Sequence, residues 1–297
     1  MESLFFIVRM IPTALMITAP VLIAAAGGLV CERSGVVNIA LEGLMLFGAM
    51  TAAIVHVLLE SSAFFSIPAA LFFAALAGGL FSLVHAFASV TLNADQIISG
   101  TGINLLSGGI TVFVCQILFR MDRTPHYKMG MRSGLFGIYP TIWIALLIFA
   151  LVWFFLYKHS FGFRLRAAGE NPKALECAGV SVKKIQYAAV LISGLLAGLA
   201  GGCIVLTQNI QFTANTINGK GFIALAAVAF GSRVSRDVKM PFGILGASFL
   251  FGISLNLAIG FVNIKLLKFL PSEIFNMMPF LITLLALIIL GNKKKSG

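Results

Sequence analysis

Residues 10–31 read MIPTALMITAPVLIAAAGGLVC, 22 uncharged positions between Arg9 and Glu32. A helix of about 20 apolar residues crosses a hydrocarbon layer ~30 Å thick, and this run meets that length. It is longer than the apolar core of a secretory leader, about 7–15 residues. Ala24-Ala25-Ala26 is therefore read as part of a retained first span, not as a cleavage site.

The rest of the chain repeats the pattern. Uncharged gaps run for 17 residues between Glu42 and Glu60, 34 between Glu60 and Asp95, and 24 between Asp95 and Arg120. Others run for 25 between Arg132 and Lys158, 25 between Lys239 and Lys265, and 19 between Glu273 and Lys293. Hydrophobic residues make up 59% of the 297 and charged residues 10%, with a mean hydropathy of +1.02. Soluble domains run at about 45–50% and about 25%. A water-soluble globule, a disordered chain, a collagen and a disulfide scaffold are all excluded.

Two stretches break the rhythm. The gap from Lys184 to Lys220 holds 35 residues, too many for one helix and too few for two with a turn. Its polar second half, Gln208, Asn209, Gln211, Asn215 and Asn218, reads as loop or cavity lining. Gly221–Ser232 holds only 12 residues, about 18 Å of helix at about 1.5 Å per residue. It is either re-entrant or the inner part of a helix that includes Lys220. The fold predicted is an all-α polytopic membrane protein of about nine spans (8–10), some short or broken. They fall near 10–30, 36–59, 67–90, 97–119, 141–157, 185–207, 215–232, 241–262 and 274–291.

The formal net charge is +11. The bases sit between apolar runs, where they set topology; a nucleic-acid surface is the weaker reading. Placing the loop at 158–184 in the cytoplasm puts 13 of the 21 Lys and Arg on the inner side, Lys293-Lys294-Lys295 among them. The N-terminus is then outside and the C-terminus cytoplasmic. Arg120, Arg123, Lys128 and Arg132 in the outer loop run against this bias. Tyr139 and Trp143 at one end of the fifth span, with Trp153 and Tyr157 at the other, fit an aromatic belt.

Little in the chain can do covalent chemistry. The four cysteines are scattered and the four histidines lack ligand spacing, so neither a disulfide framework nor a metal site is expected. A phosphate-cradling loop needs G-x-x-x-x-G-K-[ST]. The one Gly-Lys pair, Gly219-Lys220, is followed by Gly221, and Ala214 stands at the first glycine position. No Ser/His/Asp arrangement is visible. This is a conduit without a motor: not an enzyme, and holding no cofactor.

Polar groups inside membrane spans are costly and mark candidate function. Asn38 and Glu42, four apart, are expected to share one helical face and to line or gate a pathway, with simple packing as the rival reading. Asn93, Asp95, Gln96, Ser99 and Asn104 surround Gly100 and Gly102. They suggest a broken helix beside that pathway, against a plainer reading as a capped turn. Lys220 between two glycines reads most simply as a solvated loop lysine. In Gly169-Glu170-Asn171-Pro172-Lys173-Ala174-Leu175-Glu176-Cys177-Ala178-Gly179, Asn171 before Pro172 predicts a helix start and Gly179 its stop. Ala174 and Ala178 leave one face small. A short helix in the largest basic inner loop is what a separate ATPase would grip.

Four stretches carry a resemblance: SGVVNIALEGLMLFGA (34–49), NADQIISGTGINL (93–105), GENPKALECAGVSV (169–182) and GFIALAAVAFG (221–231). They resemble the permease subunits of bacterial ABC importers of the simple-sugar and branched-chain amino-acid type, most of all its nucleoside permeases. The resemblance covers nearly the whole chain, 1–297, as a single transmembrane permease domain. It implies a second permease subunit, identical or homologous, and ATP-binding subunits that hold ATP and magnesium. It also implies an extracytoplasmic substrate-binding lipoprotein and residence in the bacterial inner membrane. Gly169–Gly179 matches the family's coupling helix. Sugar members carry G-G-I-D-L-S-V-G where this chain has S-G-V-V-N-I-A-L-E-G, which argues against a sugar; riboflavin stays open. An ion-coupled secondary transporter is the rival class, with Glu42 and Asp95 as its only coupling carboxylates. A channel comes third, since no filter-like repeat is present. Ile39-Ala40-Leu41…Phe47-Gly48 echoes Ile223-Ala224-Leu225…Phe230-Gly231, a weak inverted repeat.

Overall fold

The computed structural model describes residues 2–60, 63–134, 137–234 and 240–262, with the single positions 277 and 281. Ten α-helices follow one another: α1 (Glu2–Arg33), α2 (Leu41–Leu58), α3 (Ala63–Ala86), α4 (Gln96–Phe119), α5 (Pro140–Lys158), α6 (Ser160–Glu170), α7 (Pro172–Cys177), α8 (Val182–Gln208), α9 (Lys220–Val234) and α10 (Met240–Val262). A π-helical turn, Phe87–Thr91, closes α3. No strand occurs among the described residues. Seven helices are long and apolar enough to cross a membrane: α1 to α5, α8 and α10.

Local chemistry sets most of the boundaries. Asp95 caps α4 by accepting from the N–H groups of Ile97 and Ile98 at 2.8 and 3.0 Å. Pro140 opens α5 at its first turn, where its missing N–H costs nothing. Ser181 accepts from Lys184 N at 3.5 Å to start α8. Pro12 and Pro20 lie inside α1 and Pro68 inside α3. Spanning helices tolerate proline because neighbouring helices re-satisfy the freed carbonyls.

The core is built on α1, α2, α3 and α8. Helices α1 and α8 run antiparallel. Gln208 donates to the Met16 carbonyl at one end, Gly27 packs on Ser193 near the middle, and Gln186 donates to the Ser34 carbonyl at the other. Without a hydrophobic drive inside lipid, such helices associate by close backbone approach over small residues. Gly198 of α8 provides it twice: a Cβ there would lie 2.9 Å from Gly78 Cα, and it also abuts Gly48. By contrast α3, α4 and α5 turn Phe72, Leu105 and Leu147 outward, each more than half exposed, toward lipid or a neighbouring chain.

Several boundaries differ from the sequence reading. The second span, expected from residue 36, begins at Leu41, because residues 36–38 lie outside any helix and 39–40 form a turn. The seventh, expected at 215–232, begins at Lys220, and its 15 residues reach only about 22 Å at about 1.5 Å each. Helix α4 passes unbroken through Gly100 and Gly102: capped by Asp95, it needs no break. The expected inner loop at 158–184 is largely helical, since α6 and α7 fill it. Apart from the single positions 277 and 281, the ninth span at 274–291 lies outside the described residues, as do the lysine tail, Arg236 and Lys239.

Candidate functional site

The break in helical structure falls on the link between α1 and α2. Gly35 takes φ +86°, a left-handed conformation natural to glycine, and turns the chain out of α1. A non-helical peptide at membrane depth must find partners for its N–H and C=O groups within the protein. Here the side chains of three other helices supply them. Gln96 accepts from Val37 N at 2.8 Å. His85 Nε2 lies 3.3 Å from the Val37 carbonyl, which can only accept, so Nε2 donates; His85 Nδ1 then accepts from Ser99 Oγ at 2.9 Å. Asn104 donates to the Ile39 carbonyl at 3.0 Å and accepts from Gly43 N at 2.8 Å. Buried Asn38 donates to Ser193 Oγ at 2.8 Å, and its Oδ1 has no partner among the described residues.

Glu42, in the first turn of α2, reaches across to the start of α9. Its two carboxylate oxygens accept from Gly219 N at 2.7 Å and from Gly221 N at 2.6 Å. Gly221 is needed there, because a Cβ would fall 2.5 Å from the Glu42 backbone. Gly219, at φ +81°, delivers the loop into the helix. Helix N-termini carry partial positive charge and unpaired N–H groups, so the α9 start is a natural seat for a carboxylate.

This junction sits at mid-height in the bundle. Asn38 lies opposite Ser193, near the middle of the 27-residue α8. Val228, seven residues beyond Gly221, packs on Gly28 toward the inner part of α1. One side of the junction is buried in the bundle. On the other, Glu42 and Lys220 are partly buried and Asn218 and Phe222 exposed. Polar groups at that height cannot face hydrocarbon without large cost, so this side faces water or another chain.

The structure thus joins clusters that sequence spacing held apart. Asn104 holds the α2 start and Gln96 the link before it, Ser99 reaches that link through His85, and Glu42 bonds the two glycines that flank Lys220. Asn38 lies in the non-helical link and bonds Ser193 of α8, so it does not share a helical face with Glu42 as its spacing suggested. Asn93 and Asp95 do not join: Asn93 sits exposed in the turn before α4 at φ +52°, and Asp95 is the cap. His85, Ser193 and Gln186 were not singled out in the sequence. Their partners lie 48, 155 and 152 residues away, beyond any spacing rule.

The inner segment forms the helix expected of it. Asn171 Oδ1 accepts from Ala174 N at 3.1 Å, Pro172 stands in the first turn of α7, and Gly179 follows at φ +77°. Leu175 is buried and anchors α7, while Ala174 and Ala178 are exposed. Gly169 and Glu170 belong to the end of α6. A Cβ on Gly169 would lie 2.5 Å from the Arg33 carbonyl and 2.9 Å from Gly35 N, so α6 rests directly on the start of the link.

Residues 10–287 match the family described as branched-chain amino acid transport system / permease component. The chain belongs to this permease family. The permease is 38% identical over 293 residues to the guanosine ABC transporter permease protein NupQ of Bacillus subtilis, covering 93% of this chain and 90% of that one. It is 33% identical to the nucleoside ABC transporter permease protein NupC of Lactococcus lactis, with 94% and 91% covered. Among solved structures, an inward-facing ABC transporter assigned to the metal-chelate type superposes with a TM-score of 0.53, over 90% of the permease and 82% of that chain. At 16% identity that likeness concerns the fold alone. The permease is a multi-pass membrane protein and a transport subunit.

Proposed function

We propose that the permease is the membrane-spanning subunit of an ATP-driven importer for nucleosides. The nucleoside assignment is carried over from NupQ and NupC, which are named for guanosine and nucleosides. One observation carries the mechanism: two helices that start at mid-height, α2 and α9, are joined through Glu42 beside a partly exposed polar surface. In this reading that surface lines the route taken by the nucleoside between this chain and a second permease subunit. Separate ATP-binding subunits, holding ATP and magnesium, grip α7. A movement of α6 and α7 presses Gly169 against Arg33 and Gly35, and the link passes it to the α2 start. Parting α2 from α9 breaks the Glu42 bonds and opens the route. The N-terminus and the 120–139 loop face outside, where a substrate-binding lipoprotein docks, and α6 and α7 face the cytoplasm.

The test is uptake of radiolabelled guanosine into proteoliposomes holding the full complex, with the binding protein outside and ATP inside. Uptake should require ATP and persist when an uncoupler collapses the ion gradients. Uptake that follows the gradients and ignores ATP would instead make the chain an ion-coupled carrier.

A further inference from the structure

The far end of α2 carries polar groups that the junction does not use. His56 is buried in the last turn of α2, its ring edge-on to Tyr127 with centroids 4.8 Å apart. Its Nε2 lies 2.6 Å from the Met129 carbonyl oxygen. A carbonyl can only accept, so Nε2 carries a proton, and in the neutral ring Nδ1 is an acceptor. That Nδ1 is buried and has no hydrogen-bond partner among the described residues. Buried polar atoms are overwhelmingly paired, so an orphan needs an explanation.

Beside it lies a cavity of about 280 Å³, lined by His56, Glu60, Ser66, Ile67, Met129 and Arg132. Small-molecule sites begin at about 300 Å³ and combine apolar walls with a few convergent polar groups. Ile67 and Met129 give this one apolar wall. One oxygen of Glu60 accepts from Lys128 N, and the other makes no hydrogen bond among the described residues. Arg132, at the exposed edge, donates to Met129 Sδ at 2.8 Å. The loop that closes the cavity is fixed: Met131 N donates to the Leu206 carbonyl at 2.7 Å, and the Tyr127 hydroxyl donates to the carbonyls of Val205 and Asn209. Burial pushes the Tyr127 phenol well above its ordinary range, so it stays a donor. The site is therefore preformed.

Its chemistry selects a ligand. One carboxylate and one guanidinium balance in charge, so an uncharged molecule fits best. The carboxylate and Nδ1 both accept, so the ligand must bring N–H or O–H donors, and the apolar wall suits a flat ring. We propose that this cavity is a second nucleoside site, at the outer mouth of the permease, holding the donor edge of a nucleobase against Glu60 and His56. It rests on the nucleoside-importer reading above. It would hold cargo arriving from outside until the Glu42 junction parts.

Equilibrium dialysis of radiolabelled guanosine against the purified permease–ATPase complex, without binding protein, tests it. The wild-type complex should bind saturably. His56→Leu, lacking the acceptor, should bind about tenfold more weakly, the loss of one good hydrogen bond. His56→Gln offers an amide N–H to Met129 and a carbonyl to the ligand, and should restore affinity to within about threefold. Glu60→Gln still accepts from Lys128 N but loses the charge, and should weaken binding by about tenfold. Unchanged guanosine binding in both His56→Leu and Glu60→Gln overturns the site. So does a wild-type complex that imports guanosine with its binding protein yet binds none without it. If that wild-type complex imports no guanosine at all, the importer reading has failed first.

Discussion

Glu42 is one of ten acidic residues, placed where an unpaired charge would cost most. Both oxygens hold backbone N–H groups of α9, and hydrogen bonds to charged groups are worth about 1.5–3 kcal/mol each. Glu42→Gln keeps the shape but turns an amide N–H₂ toward one of those donors. Guanosine uptake should fall at least about tenfold, on the scale of one such bond lost, while membrane insertion and assembly with the ATPase stay normal. Lost assembly, or full uptake, would leave Glu42 with a packing role only. Sequence alone picked out Glu42, Asn38, Gln96, Ser99 and Asn104, because polar residues in apolar runs are conspicuous. It misjudged their geometry. Spacing of four means one face only on a helix, and the turn at Gly35 takes Asn38 out of any helix. His85 and Ser193 stayed hidden because a hydrogen bond between distant helices leaves no periodic trace.

At the scale of elements, legibility followed locality. Helix α7 was readable to its caps, since Asn171, Pro172 and Gly179 act within a few residues. The spans were readable because length and apolarity are local too. The break was assigned to α4 because Gly100 and Gly102 look like breakers. In fact Gly100 serves close packing, its would-be Cβ 2.7 Å from Ile39 Cβ, while Gly102 has nothing within 4 Å. Whether a glycine bends a helix or seats its neighbour depends on what lies opposite, which one sequence does not say. The two kinds should respond differently. Gly198→Ala pushes a methyl into Ala74 and Gly78 where three helices meet. Overpacking of this sort costs about 1–3 kcal/mol, and the purified chain should melt measurably lower in detergent. Gly102→Ala meets no neighbour and gains up to about 1 kcal/mol of helix propensity, so its melting temperature should hold or rise. Equal melting in the two variants would contradict the packing described here.

For the whole molecule, the proposed orientation of the bundle can be read directly, because the chain carries its own reporter. Cys31, Cys115 and Cys203 are buried, whereas Cys177, at the end of α7, is exposed. Charge bias puts α6 and α7 inside, yet Arg120, Arg123, Lys128 and Arg132 would then lie outside against the same rule. A membrane-impermeant maleimide separates the two orientations on the unmutated thiols. It should leave the permease unlabelled in intact cells and label it in inside-out vesicles, with Cys177→Ser removing the signal. Stripping the ATPase subunits should speed the reaction, because the same surface is their proposed seat. Ser133→Cys, exposed in the opposite loop, should show the reverse pattern in a Cys177→Ser background. Were Cys177 labelled in intact cells, the bundle would be inverted. Helix α7 would then be out of reach of any ATPase, and the chain of contacts from Gly169 through the link to Glu42 would need another source of motion.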